Sequence, residues 1–244
     1  MIKIKEMLKS IKSKFTAAFK DAPVLPTAVF FMSVILMNIL ASLVFAPSYL
    51  FGFIPYDGGV FVSFIILIAV DIYCKKKGAE YANILSFTAA FVAFAFSGII
   101  SLASYLLMGA AGPLNGLWLT TLASCIALVV ATAVNGVFNQ LLGKVFKNKD
   151  NIGTFAWRAL PSTAISQFVD NLLFIVLAQF VFNAFGDFKI VANFGDACIY
   201  AAAGVVLEFI IELVFIPFGY WLYKRWVKKD ANTNQQVEQP HDEV

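Results

Sequence analysis

The sequence predicts an all-α, polytopic membrane protein with six transmembrane helices and both termini on the cytoplasmic side. Two observations lead to this prediction. Of the 244 residues, 60% are hydrophobic and only 14% are charged, and the mean hydropathy is +0.81, which is far from the composition of a soluble domain. In addition, the Lys and Arg residues fall almost entirely into clusters that separate long apolar runs, and such clusters are retained in the cytoplasm.

The positions of these clusters predict the topology. Six lysines lie in residues 1–20, and Lys75, Lys76 and Lys77 follow the second apolar run. Two further clusters lie at 144–158 and 224–229, and only Lys189 lies apart from all of them. When the apolar runs cross the membrane singly or in pairs, every cluster except Lys189 falls on the same side, which places both termini inside.

Run length and loop signals define the spans, because a spanning helix needs about 20 apolar residues. Residues 81–143 contain no charge and are interrupted by Gly109–Pro113, so they hold two spans. We expect Pro161 in the first turn of the fifth span, where its missing N–H is harmless, and a kink or break at Pro217 in the sixth. The predicted spans are 24–46, 58–74, 82–108, 116–143, 159–185 and 197–223, with outside loops at 47–57, 109–115 and 186–196.

Both ends of the chain differ in composition from the spans. Residues 1–22 place apolar side chains at helical spacing with lysines on the other face, which predicts a basic amphipathic helix in the cytoplasmic interface; a disordered basic leader is the alternative. No cleavable signal peptide is expected, because no apolar core follows the basic residues. Residues 23–228 form the predicted six-helix transmembrane domain, and residues 229–244 a disordered polar tail.

Four polar residues of the fifth span lie close together on a helix. Gln167, Asp170 and Asn171 share one face, with Ser166 at its edge. A carboxylate inside a bilayer is costly and usually faces a cavity or a partner. The group therefore predicts a ligand or ion site, with hydrogen bonding between helices as the alternative.

Other polar residues extend this set of candidates. Glu208 and Glu212 share one face of the sixth span and are candidates for binding a cationic or donor-rich substrate or for carrying a coupling proton. Alternatively, they face a watery funnel or are neutralised by Arg158. Asp71 lies one turn before three lysines, so simple pairing with them competes with a role in the site. Asn38 in the first span adds hydrogen-bonding capacity.

The remaining polar residues narrow the function classes. Asn135 and Asn139 share a face of the fourth span near its cytoplasmic end. The single histidine, His241, lies in the polar tail, so a buried His-based metal site or Ser–His pair is excluded. We predict neither cofactor nor metal, no enzymatic activity and no nucleic-acid partner. An intramembrane aspartyl pair of Asp71 and Asp170 is the one enzymatic alternative.

The fifth span contains a recognisable motif. It reads Arg158, then Ser162, then Ser166-Gln167-Phe-Val-Asp170 before Phe174, and this resembles the signature of the VUT family of queuosine precursor transporters. The second span is similar to the family's segment as well, since Gly58–Phe61 leads through an aliphatic run to Asp71 and a lysine pair. Asn38 matches an Asn of the family's first span.

The resemblance covers roughly residues 24–228 and indicates a divergent member. The family's Glu shortly after the first Asp is missing here, where the chain reads Asp71-Ile-Tyr-Cys-Lys-Lys. Asn171 occupies the position of a residue that is often Thr, and Pro161 interrupts a Ser-rich stretch.

The resemblance implies a function and a site. The function is uptake of a small nucleobase-like substrate, a 7-deazaguanine such as preQ0, preQ1 or queuine, across the cytoplasmic (inner) membrane. A guanine-like edge presents N–H donors that Asp170 would accept, while amide side chains read its carbonyl and ring nitrogens. The predicted substrate-binding residues are Ser166, Gln167, Asp170, Asn171, Asn38, Asp71, Glu208 and Glu212. Lipid is the expected environment, and a homodimer is left open.

Two other classes compete with this reading. The substrate-binding component of an energy-coupling-factor vitamin importer is also a small six-helix protein, although the first span here has no clear Ala-x-x-x-Ala contact motif for its partner. A membrane scaffold without transport would bind no ligand and would tolerate changes at Asp170 and Glu208.

Overall fold

The computed structural model describes residues 2–20, 22–42, 58–112, 114–146, 151–184 and 190–238, and these parts of the chain are almost entirely helical. A 3₁₀ turn, Gly109–Ala111, follows the fourth helix, and the sixth helix continues as a π-helical segment, Val176–Val181. The α-helices are α1 (Ile2–Lys20), α2 (Val24–Ser42), α3 (Val60–Lys77), α4 (Ala79–Met108), α5 (Leu117–Val145), α6 (Ile152–Ile175) and α7 (Phe194–Glu238).

Five of the described helices, α2, α4, α5, α6 and α7, are long and apolar enough to cross a membrane. The other predicted span forms α3, which has 18 residues and carries Asp71 together with three lysines in its last turn. The prediction of an all-α, polytopic membrane protein is therefore confirmed. That α3 also spans the membrane, which would make six spans, stays a prediction.

Small side chains bring α4 and α5 together. The buried face of α4 includes Ala82, Ala89 and Ala93. A Cβ atom added to Gly136 of α5 would lie 2.6 Å from the Cβ atom of Ala79, so this contact requires glycine. Small residues at the contacts are typical of helices packed within a bilayer. The exposed face of α4 instead carries large apolar side chains: Phe87, Phe91, Phe96, Ile99, Leu102 and Leu106.

Aromatic side chains of α6 and α7 hold the lysines at the end of α3. The Nζ atom of Lys75 lies 4.6 Å from the ring centre of Tyr223 and 5.4 Å from that of Phe155. The Nζ atom of Lys76 lies 3.9 Å from the ring centre of Trp226. These cation–π contacts bring basic segments together at one end of the bundle, as the predicted topology requires. The side of the membrane that this end faces stays a prediction.

Residues 2–20 form a helix, as their amphipathic pattern predicts. Lys14 of α1 pairs with Glu80 at the start of α4, and Phe15 packs edge-on against Phe87. Because α4 begins directly after the lysines of α3, these contacts attach α1 to the basic end of the bundle. Its position in the membrane interface stays a prediction.

Two boundaries differ from the expected ones. α2 is described to Ser42, so residues 43–46 of the first predicted span and the loop 47–57 lie outside the described residues. α7 is not broken at Pro217 and continues to Glu238, so the structure has helix at 229–238 where we expect disorder. Extending an existing helix needs no new nucleation. Residues 239–244 are outside the described part.

Candidate functional site

The structure begins α6 earlier than the sequence predicts. The side chain of Asn151 accepts a hydrogen bond from the backbone N–H of Thr154 at 2.7 Å, which caps the helix. Pro161 therefore lies inside α6 and not in its first turn, so the expected start at 159 is wrong. The added turns carry Arg158, expected just before the span, into the helix, where it is buried.

A cavity lies between α3, α5, α6 and α7, with α2 at its edge. The volume of this cavity is about 90 Å³. For comparison, a single water molecule needs roughly 10–15 Å³ of such volume. Four polar residues of α6 form one wall: Ser166, Gln167, Asp170 and Asn171. The structure thus gathers the predicted polar group of the fifth span around one cavity.

Glu208 of α7 faces this polar wall. The Nδ2 atom of Asn171 donates to Oε2 of Glu208 at 3.3 Å, and Glu208 is buried. Gly204, one turn earlier on α7, allows this approach, because a Cβ atom there would lie 2.7 Å from Nδ2 of Asn171. The absence of a side chain at Gly204 therefore allows the amide of Asn171 to reach Glu208, which is the second carboxylate at the cavity besides Asp170.

The other walls combine apolar and aromatic side chains. Phe174 of α6 and Tyr200 of α7 line the cavity together with Leu67 of α3 and Leu128 of α5. The Oε1 atom of Gln167 is buried and has no hydrogen-bond partner among the described residues. A cavity with mostly apolar walls and a few convergent polar groups is typical of a small-molecule site.

A second polar group lies closer to the basic end, and we call it the inner cluster. Both carboxylate oxygens of Asp71 are bonded. Oδ1 accepts from Nδ2 of Asn135 at 3.0 Å and from Nδ2 of Asn139 at 3.3 Å, and Oδ2 accepts from the hydroxyl of Thr163 at 3.3 Å. The inner cluster comprises Asp71, Asn135, Asn139, Arg158, Thr163 and Glu212, all of them buried.

The rest of the inner cluster adds one cation and a second carboxyl group. Arg158 donates through Nη2 to Oδ1 of Asn139 at 2.7 Å. The hydroxyl of Thr163 also lies 3.0 Å from Oε1 of Glu212. Residues from α3, α5, α6 and α7 therefore meet in one hydrogen-bonded group, and only its Asn135 also lines the cavity.

The structure corrects the interpretation of Asp71 as a simple partner of the neighbouring lysines. Its carboxylate points into the bundle and is bonded by amide and hydroxyl groups, whereas Lys75 and Lys76 lie over aromatic rings. The physical reason is helical geometry, because positions 71 and 75 are one turn apart along the helix axis. Asp71 therefore lies further inside the bundle, beside the amide groups, whereas Lys75 lies at the end of the bundle, beside the aromatic rings.

The eight predicted site residues thus fall into three places. Asp71 and Glu212 belong to the inner cluster. Asn38 belongs to neither group, since it is buried and donates to the carbonyl of Val34 on its own helix at 2.7 Å. The enzymatic alternative paired Asp71 with Asp170, and the structure places these two in different groups. The other five line the cavity: Ser166, Gln167, Asp170, Asn171 and Glu208.

Sequence reasoning did not assemble the inner cluster. The spacing of Asn135 and Asn139 showed a shared helix face, but nothing in the sequence connected that face to Asp71. Thr163 gave no signal at all, because a lone Thr is ordinary in an apolar helix. Within the described part of the chain, no group of three or more His, Cys, Asp or Glu residues is placed to hold a metal ion.

Comparison with known proteins assigns the family. A family model described as "Putative vitamin uptake transporter" matches residues 57–222, which is more than half of the chain. The matched region contains the whole inner cluster and the cavity walls contributed by α3, α5, α6 and α7. Neither the curated proteins nor the solved structures gave a match. On the extent of this match, the chain is a multi-pass membrane protein that belongs to the VUT family of uptake transporters.

Proposed function

We propose that this protein imports a queuosine precursor, namely preQ0, preQ1 or queuine, across the cytoplasmic membrane, with both termini inside. The family assignment supports transport. The motif from Arg158 to Phe174, which resembles that of queuosine precursor transporters, supports the 7-deazaguanine class.

One observation carries the proposal: the polar wall of α6 and Glu208 of α7 face each other across a cavity with apolar and aromatic walls. The carboxylate of Asp170 would accept the N–H donors of a guanine-like edge. Gln167, whose Oε1 atom has no partner among the described residues, and Asn171 supply amide groups for the carbonyl and ring nitrogens. Phe174 and Tyr200 are available to stack on the flat ring.

The second carboxylate favours one member of the class. Glu208 is buried at the cavity wall, where it accepts a hydrogen bond from Asn171. The aminomethyl cation of preQ1 would add a charged donor to this carboxylate, and neither preQ0 nor guanine has this group. On this basis we expect preQ1 to bind more tightly than guanine.

The position of the cavity along the bundle supports import. Gly59, just before the first residue of α3, lines the cavity, whereas Asp71, near the lysine end of α3, does not. The cavity therefore extends away from the basic end. When that end is cytoplasmic, as the distribution of Lys and Arg predicts, the cavity is on the side from which a substrate is taken up.

Thermal stabilisation of the detergent-purified full chain tests the proposal. The panel consists of preQ0, preQ1, queuine, guanine, riboflavin and biotin. A ligand that binds only the folded protein raises Tm, and we expect a rise with a 7-deazaguanine that Asp170→Asn abolishes. The matched control is Asp196→Asn, because Asp196 lies in the first turn of α7, where it is hydrogen-bonded to Asn193, and does not line the cavity.

Each other result contradicts the proposal in a distinct way. A rise in Tm with riboflavin or biotin alone, together with co-purification of an ATPase module, would indicate an energy-coupling-factor vitamin component. No rise with any of the six compounds would indicate a scaffold. A rise that Asp170→Asn retains would remove Asp170 from the site.

A further inference from the structure

The inner cluster has the composition and geometry of a site for one exchangeable proton. We propose that this proton is the ion coupled to transport and that Glu212 carries it. The inference rests on the proposed import function and names its energy source. Its tests are chosen so that the proton site and the substrate can fail separately.

Charge balance is the first argument. The ionisable members of the inner cluster are the carboxyl groups of Asp71 and Glu212 and the guanidinium of Arg158, and all three are buried. A guanidinium keeps its charge in proteins. Because unbalanced charge within a membrane is costly, a neutral cluster requires one proton on the two carboxyl groups.

Hydrogen bonding indicates which carboxyl group holds the proton. Two amide donors reach Asp71, which suits a carboxylate. Thr163 lies within bonding distance of both acids, but its hydroxyl has one hydrogen and can donate to one of them.

Glu212 has the weaker set of donors. No amide, hydroxyl or cationic donor among the described residues reaches its Oε2 atom, although the residue is only 1% exposed. The carboxyl group of Glu212 lies in hydrogen-bonding contact with that of Asp71, which requires a proton on one of the two. A buried anionic oxygen without a donor is expensive, and placing the proton on Glu212 removes that cost. Asp71 then remains the anion that balances Arg158.

The neighbouring groups provide a route for the proton. Glu208 lies one turn from Glu212, about 6 Å along the α7 axis, and it lines the cavity. A proton that enters with the substrate can therefore pass from Glu208 to Glu212 and leave towards the basic end. Cys74 of α3 and Tyr223 of α7 are further titratable groups that interact with Arg158, and the members of the inner cluster from α5 are neutral amides.

Loss of the proton would open the inner end of the cavity. When Glu212 is ionised, the single guanidinium of Arg158 faces two carboxylates, those of Asp71 and Glu212, which repel each other. This repulsion weakens the hydrogen bonds through which Thr163 of α6 links α3 and α7. Those bonds close the bundle between the cavity and the basic end. One proton moving inwards per substrate therefore links release of the proton to release of the substrate.

Infrared spectroscopy of the purified full chain tests the proton without any substrate. Near neutral pH, we expect the carbonyl-stretch band of a protonated carboxyl group in the natural protein. Glu212→Gln should weaken it, and the matched control Glu80→Gln, at an exposed residue paired with Lys14, should leave its intensity unchanged. A band of unchanged intensity in both Glu212→Gln and Asp71→Asn would overturn the proposal, as would its absence from the natural protein.

Proteoliposomes test the coupling, with preQ0 as the probe because it lacks the aminomethyl cation of preQ1. A gradient of one pH unit is worth about 1.4 kcal/mol per proton, or about tenfold accumulation. We expect the natural protein to reach about this accumulation and to acidify the interior. Glu212→Gln should exchange preQ0 at equal concentrations without accumulating it and should retain preQ0-dependent stabilisation.

The remaining outcomes separate the two proposals. Accumulation driven by a sodium gradient but not by a proton gradient would overturn the proton assignment and leave the importer intact. Failure of preQ0 to bind or enter would contradict that substrate, while the infrared band would still decide the proton. When Glu212→Gln does not fold, interior acidification by the natural protein decides the coupling.

Discussion

The cavity and the inner cluster share walls from α3, α5, α6 and α7, yet Asp71 in the cluster and Gln167 at the cavity differ in whether the protein binds their polar atoms. Gln167 and Glu208 at the cavity lie one turn from Thr163 and Glu212 in the cluster. In the cluster, amide and hydroxyl groups of the protein bind the carboxylate of Asp71. At the cavity, Oε1 of Gln167 has no partner in the described structure.

This difference teaches that burial alone does not identify a binding residue. Gln167 is 5% exposed and Asn139, whose two amide atoms are both hydrogen-bonded, is 2% exposed, so both would count as interior. What separates them is whether the protein supplies the partner of their polar atoms. Satisfied groups stabilise one arrangement of helices, whereas unsatisfied groups beside a cavity are free to bind a ligand.

The largest effect on stability is expected from a substitution that disrupts the inner cluster and leaves the cavity walls in place. Arg158→Met removes the only cation of the inner cluster and leaves a buried carboxylate unbalanced, which costs about 3–5 kcal/mol. We expect the free energy of unfolding in mixed detergent micelles to fall by this amount. Arg225→Met is the matched control, because Arg225 is exposed and packs over Trp221; it should change stability little. Equal stability of the two variants would show that the cluster is not a charge-balanced unit.

A medium effect is expected from a change that affects the cavity and spares the cluster. A Cβ atom in Gly204→Ala would crowd Nδ2 of Asn171, and such overpacking costs about 1–3 kcal/mol. Titration calorimetry should show ligand affinity reduced about tenfold, with the larger queuine affected more than preQ0.

The control for Gly204→Ala is Gly98→Ala, since nothing lies within 4 Å of a Cβ atom at Gly98. Alanine there should leave affinity unchanged and stabilise α4 by about 0.5–1 kcal/mol. Equal affinity of the Gly204 and Gly98 variants would remove the α6–α7 contact from the site.

The smallest effect is expected at a residue that belongs to neither region. Asn38→Ala removes a hydrogen bond from the side chain to a carbonyl of its own helix, worth about 1 kcal/mol. Uptake should stay within about twofold of the natural protein, because Asn38 does not line the cavity. A large loss of uptake at unchanged stability would return Asn38 to the site, as its resemblance to the family pattern implies.

The sequence was sufficient for features with a local cause. Apolar run length predicted the helices, and helical spacing predicted that Gln167, Asp170 and Asn171 would form one wall. Charge distribution predicted one common side for the basic clusters, and the lysine end of α3 does meet the basic end of α7, while the side of the membrane stays a prediction. Each of these follows from residues that are close in sequence, so no tertiary contact had to be known.

Features that depend on distant contacts were not predictable in the same way. Asp71 contacts Asn135 and Thr163, which are 64 and 92 residues away in the sequence, and no periodicity in the sequence indicates these contacts.

The start of α6 was missed for a local reason. The hydrogen bond that caps the helix at Asn151 competes with the more conspicuous sequence signal of Pro161.

The π-helical segment at the end of α6 makes this stretch sensitive to length. Phe182 donates to the carbonyl of Leu177, a wider turn than the α-helical one. Within the segment, Gln179 binds the backbone of Ile190 and Val191 through three hydrogen bonds. Deleting one residue just before Gln179 would rotate its side chain by about 100° and release the connection to α7. Natural relatives should therefore tolerate many substitutions here but few single-residue insertions or deletions.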